Sequence, residues 1–176
     1  MFARIILVSF LSALLSGAIS KAAEEEMPPR PPSSAEFERL KGLVGEWEGT
    51  SVKDGKEEKV KVRYELTSGG SVLLERFCVG TPSEMVSVYH DRAGRLEMTH
   101  YCMLGNQPRM VLNESSGTNW KFQLAADTDI DVAHEQHMHG LEISLADGGG
   151  QMNQSWNCYK EGAKDTDAVF SFTRLR

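Results

Sequence analysis

All five histidines of the chain fall between residues 90 and 139, and Cys102 lies among them. Neutral imidazole and thiolate are the donors that Zn²⁺ and copper ions take, and a His-x-His pair on one strand presents two nitrogens to one point. Alternate residues of a strand share a face. By that rule His137 and His139 go with Leu141, Ile143 and Leu145, His100 and Cys102 go with Met98 and Leu104, and His90 goes with Val86 and Val88. If the aliphatic side chains face a core, the imidazoles face it too. Three readings stay open. In one, His100, Cys102, His137 and His139 hold zinc or copper, or a haem, with activation of a water for hydrolysis as the chemistry. In another, His90, His100, His137, His139 and Tyr101 are polar anchors in a cavity that takes a small, partly apolar molecule. In the blandest, the imidazoles satisfy one another and nearby backbone carbonyls.

The segment Gly105-Asn106-Gln107-Pro108-Arg109-Met110 joins two expected strands and is rich in hydrogen-bonding groups. At a barrel mouth Asn106, Gln107 and Arg109 could fix a polar or anionic ligand; equally, Gly105 and Pro108 make the segment a structural turn. Glu75 and Arg76 are adjacent in one strand, so only one of them can face inward. Asp127, Asp129 and Asp131 alternate as in a calcium loop, but Val132 stands where the required glycine would be, and the segment reads as solvated, as does His134. Phosphate loops, dinucleotide fingerprints, a Gly-x-Ser-x-Gly elbow and Cys-x-x-Cys are missing, which favours binding over catalysis and points to no particular cofactor.

These residues need a frame to hold them. From Lys59 to Leu66, Val60, Val62, Tyr64 and Leu66 alternate with charged residues, giving one dry and one wet face. Turn signals follow at short intervals, at Ser68-Gly69-Gly70, Asp91-Arg92-Ala93-Gly94, Ser115-Ser116-Gly117, Asp147-Gly148-Gly149-Gly150 and Glu161-Gly162. The expectation is an all-β domain over residues 35–176: an antiparallel up-and-down β-barrel of about ten strands with a short N-terminal helix. Ser33 and Glu36 read as a capping box for that helix, on which Phe37 and Leu40 recur at helical spacing. Trp47, Val62, Tyr64, Val88, Leu141, Ile143 and Phe170 are the expected core. At most one disulfide is expected, between Cys102 and Cys158, whose strand parity points both inward.

The N-terminus carries Arg4 and then an apolar run from Ile5 to Ile19, ending in Ser20-Lys21-Ala22. This reads as a secretory signal peptide over residues 1–22, with Ser16-Gly17-Ala18 as the alternative cleavage site, and so as a periplasmic or secreted protein without a membrane anchor. Residues 23–34, with Pro28-Pro29-Arg30-Pro31-Pro32, read as an extended tether. Cleavage would remove Arg4 and Lys21, leaving 17 basic residues of the 19 against 25 acidic ones, a net charge of −8. Such a chain has no electrostatic footprint for nucleic acid.

The run Phe37-Glu38-Arg39-Leu40-Lys41-Gly42-Leu43-Val44-Gly45-Glu46-Trp47-Glu48-Gly49 resembles the start of lipocalin-like (calycin) barrels, where a short helix precedes a Gly-x-Trp strand. That resemblance implies that Trp47 plugs the closed end. Glu84–His90, Thr99-His100-Tyr101-Cys102 with Gly105–Met110, and His137-Met138-His139 resemble a family of secreted bacterial domains of unknown function. The architecture is also similar to that of the nitrobindins, ten-stranded barrels that hold haem through a histidine near the C-terminus. This chain ends Phe170-Ser171-Phe172-Thr173-Arg174-Leu175-Arg176, without a histidine, so that ligand does not carry over.

Overall fold

The computed structural model describes residues 32–53 and 56–176. The expected signal peptide and the tether up to Pro31 lie outside the described residues. Helix α1 (Ala35–Leu40) is followed by a single 3-10 turn, Lys41–Leu43. Its cap is Ser34 rather than Ser33: the Ser34 hydroxyl accepts from the Phe37 amide at 3.1 Å. Ser34 is fixed there because its own amide and hydroxyl both donate to Asp91, at 2.6 and 2.7 Å. Glu36 and Glu38 in the first turn and Arg39 in the last complement the helix dipole.

Ten strands follow: β1 (Gly45–Lys53), β2 (Lys56–Thr67), β3 (Val72–Phe77), β4 (Met85–Arg92), β5 (Arg95–Tyr101), β6 (Arg109–Ser116), β7 (Asn119–Leu124), β8 (His137–Ala146), β9 (Gln151–Lys160) and β10 (Ala163–Arg174). Each pairs antiparallel with the next, and β10 pairs with β1, so the sheet closes on itself as an up-and-down barrel. Closure leaves no strand edge unpaired. The architecture is calycin-like.

One end of the barrel is sealed. Phe37, Leu40 and Leu43 of the helical segment are buried against Trp47, whose indole donates to the Leu43 carbonyl at 2.8 Å. Trp120 donates to the Glu36 carbonyl from the other side. Burying three such side chains contributes on the order of 1.5–3 kcal/mol each, enough to hold a helix too short to persist alone. The other end is ringed by the β3–β4, β5–β6, β7–β8 and β9–β10 connections. Trp47, Val62, Tyr64, Leu141 and Ile143 are buried as expected. Val88 is a correction: on β4 it is Ser87 and Tyr89 that face inward and Val88 that faces out, half-buried.

Candidate functional site

The barrel interior changes character along its axis. Near the open end is a cavity of about 60 Å³ lined by Phe77, Met85, Met138, Trp156, Ala168, Phe170 and His100. Its wall is almost wholly apolar; the rings of Phe77 and Phe170 meet edge to face at 5.0 Å. A volume of about 10–15 Å³ on this measure holds one water, so the cavity has room for a molecule of several heavy atoms. Larger depressions on the outer wall, one bounded by Lys121, Glu142 and Tyr159, are open to solvent and lined by polar groups.

His100 is the one polar side chain of the cavity wall. It is 2% exposed, and its ring lies 4.7 Å from that of Trp156. Burial alone pushes its pKa down to about 4, so the imidazole is neutral at pH 7. Nδ1 sits 3.0 Å from the buried Ser87 hydroxyl, while Nε2 is buried with no hydrogen-bond partner. Ser87 does not line the cavity. Its hydroxyl contact with Nδ1 orients the imidazole.

Beneath this pair lies a polar layer that fills the middle of the barrel. The Glu75 carboxylate accepts from the hydroxyls of Tyr64 and Tyr89, both at 2.8 Å, and from the Gln154 amide at 2.6 Å. Gln154 in turn accepts from the Trp156 indole at 3.1 Å. Glu75 and Gln154 are fully buried, so each hydrogen bond replaces one that water would otherwise supply. Burial first, and then the facing carboxylate, hold both tyrosines well above the ordinary phenol range. Sequence reasoning left Glu75 and Arg76 undecided. The usable signal was that Glu75 shares its strand parity with Leu73 and Phe77, and Gln154 with Met152 and Trp156. Arg76 points outward to Glu84 at 3.0 Å.

Parity misplaced several candidate ligands. His137 and His139 are on the outer face, because the β8–β9 register shifts between Met138 and Gly140. That extra residue reverses the alternation, so Met138 enters the cavity wall while the two histidines turn away from Leu141 and Ile143. His137 Nε2 lies 3.1 Å from His139 Nδ1, its Nδ1 lies 2.8 Å from the Glu135 carbonyl, and His139 stacks on Tyr159 at 3.9 Å. His90 is also on the outer face, being the neighbour of inward Tyr89. Tyr101 is half exposed and outside. Leu104 lies beyond the end of β5 and is exposed.

The β5–β6 loop is mainly a structural turn. Gly105 has φ 87°, Gln107 donates to the Gly105 carbonyl, and Asn106 donates to the Gln136 carbonyl, tying this loop to the β7–β8 connection. Arg109 is held by Glu97 at 2.9 Å and by Asp127, on the outside of the barrel. Cys102, just past the end of β5, and Cys158 of β9 are buried at the open end, two residues beyond His100 and Trp156, and among the described residues no cysteine forms a disulfide.

The four residues expected to gather around a metal are thus divided between two faces of the wall. Among the described residues no group of three or more His, Cys, Asp or Glu side chains comes together to hold a metal ion. A haem macrocycle is far larger than the cavity at His100. No protein-family model matches the chain, and no curated protein matches it either.

Proposed function

We propose that the protein is an exported binding module that holds a small, largely apolar molecule in the open-end cavity, with His100 as its polar anchor. The observation that carries this reading is the almost wholly apolar cavity at the open end, whose wall includes His100, a side chain with its Nε2 buried and without a hydrogen-bond partner. A buried polar atom left unpaired costs roughly 1–3 kcal/mol, which a ligand that meets it returns as affinity and specificity. The closed barrel and its plugged far end support the reading by enclosing an interior in which the cavity lies towards the other end. Export rests on the leader-like residues 1–22.

Thiophene titrated into protein labelled at its methionine methyl groups tests the proposal. Met85 and Met138 line the cavity, whereas Met103 is exposed outside it. Saturable shifts of the Met85 and Met138 methyl signals, with Met103 unmoved, are expected, and they should be lost in Ala168→Leu, which fills the space. Unmoved Met85 and Met138 signals would overturn the reading.

A further inference from the structure

We propose that the outer wall of the barrel carries a second binding site, and that this site takes a neutral sugar. It lies over β7, β8 and β9 and shares no lining residue with the interior cavity.

The register of three strands builds it. Gly140 of β8 is paired with Gln123 of β7 on one side and with Asn157 of β9 on the other. Glu142, two residues on, is paired in the same way with Lys121 and Ser155. All six positions belong to the outer face, because Phe122, Leu141 and Trp156, which alternate with them, are buried in the interior. Neighbouring strands lie about 4.8 Å apart and alternate residues of one strand about 6.6 Å apart, so the two rows cover roughly the area of one sugar ring with its hydroxyls.

Gly140 supplies the low point of this array: a Cβ there would stand 3.0 Å from the Asn157 side-chain oxygen and 3.3 Å from the Phe122 carbonyl. Two β-bulges frame it. The β6–β7 register skips Asn113 and the β8–β9 register skips His139, and both skipped residues line the same depression of about 220 Å³. A bulge re-aims the side chain that it leaves out of the ladder. Here the bulges lie on the two strands that flank β7, and they bring an amide and an imidazole to one place. His139 stacks on Tyr159 at 3.9 Å, with the ring planes 19° apart.

The groups gathered there suit hydroxyls rather than charges. Carboxamides both donate and accept, as sugar hydroxyls do, and Asn113, Gln123 and Asn157 bring three of them to the depression. Asn157 gives an N–H to Asp167 at 2.6 Å, which holds its amide in place, while Asn113 and Gln123 are exposed. Lys121 stands between Glu114 at 3.6 Å and Glu142 at 4.0 Å, so an anion meets no uncompensated cation. Burial first, and then His137, hold His139 below the ordinary histidine range, so it adds no charge at pH 7. The His139–Tyr159 stack gives the C–H face of a ring an aromatic wall beside these polar groups.

Titration of the full chain with methyl glucoside, methyl galactoside and methyl mannoside, followed in ¹H–¹⁵N spectra, tests the site. At least one glycoside should give saturable shifts of the Gly140 backbone amide and of the Asn113 and Gln123 side-chain amides, with the methyl signals of Met85 and Met138 unmoved. Gln123→Ala, a change at an exposed position, should weaken that binding about tenfold, the loss of one good hydrogen bond. The uronate counterpart of the same sugar should bind more weakly. No saturable shift with any of the three, shifts confined to residues outside the depression, an affinity unchanged in Gln123→Ala, or tighter binding of the uronate would overturn the proposal. Each of these results leaves the interior cavity to its own test with thiophene.

Discussion

The guanidinium of Arg174 lies 4.1 Å over the indole ring of Trp47, its register partner across the β1–β10 seam. Arg174 also donates to the carbonyls of Val44, Gly42 and Gly149, at 2.5, 2.6 and 2.9 Å. One side chain thereby ties the last strand to the helical segment and to the β8–β9 turn, and covers the tryptophan that plugs the barrel. Gly45, at φ 135°, makes room: a Cβ there would sit 2.9 Å from Arg174 Nη1.

Arg174→Ala is therefore expected to destabilise the barrel by about 2–4 kcal/mol, since it removes a cation–π contact and leaves three carbonyls to find other donors. Arg174→Lys should recover only a minor part, because an ammonium cannot reproduce the planar fork. Urea unfolding midpoints give both numbers. A midpoint for Arg174→Ala within error of wild type would show that the seam is held elsewhere.

The polar layer makes a second prediction. Glu75→Ala strands two tyrosine hydroxyls and the Gln154 amide in the barrel interior and should cost about 3–5 kcal/mol, whereas Tyr64→Phe, which removes one donor, should cost about 1–2 kcal/mol. Equal costs for the two would mean that the carboxylate is not the hub of the layer.

Much of the frame was legible in the chain. The alternation of Val60, Val62 and Tyr64 and the regular turn signals were enough for a closed antiparallel sheet, and the Gly-x-Trp run was enough for the plugged end. Which face each strand turns inward was less legible where both faces carry plausible core residues. On β4, valines compete with Ser87 and Tyr89; hydrophobicity favours the valines, but the inward position is decided by the Glu75 layer, which belongs to another strand. On β8 the apolar residues Leu141 and Ile143 were placed rightly, but extending their parity back to His139 and His137 failed at a register shift. That shift depends on how β9 pairs, a long-range property that local sequence does not encode.

A third prediction concerns pH. His100 has a folded pKa of about 4 because of burial, against about 6.5 for an unfolded chain. The unfolded state therefore takes up the proton first as pH falls. The stability associated with neutral His100 is fully present above about pH 6.5 and is lost progressively as pH drops towards 4. Between pH 7 and pH 5 the loss is about 2 kcal/mol. His100→Leu should flatten this part of the stability–pH curve relative to wild type. Parallel slopes for the two proteins would contradict a buried neutral imidazole.

The thiols give a fourth. Burial raises the Cys78 and Cys102 thiols above their ordinary value, and Cys158 is buried beside Cys102. Native protein should react slowly with a disulfide reagent, first at half-buried Cys78, with Cys102 and Cys158 released only on unfolding. Any bridge formed on oxidation should join Cys102 to Cys158; peptide mapping that finds Cys78 in a bridge would contradict the placement.

The claim on which the account turns is that the open-end cavity is dry, apolar and able to take a guest. Apolar cavities of this kind stay empty of water and admit xenon or small hydrocarbons. A crystal of the protein pressurised with xenon measures this most directly. The account predicts a xenon peak among Phe77, Met138, Trp156 and Phe170, absent in Ala168→Leu; a site without xenon, filled instead by ordered water hydrogen-bonded to His100 Nε2, would contradict it.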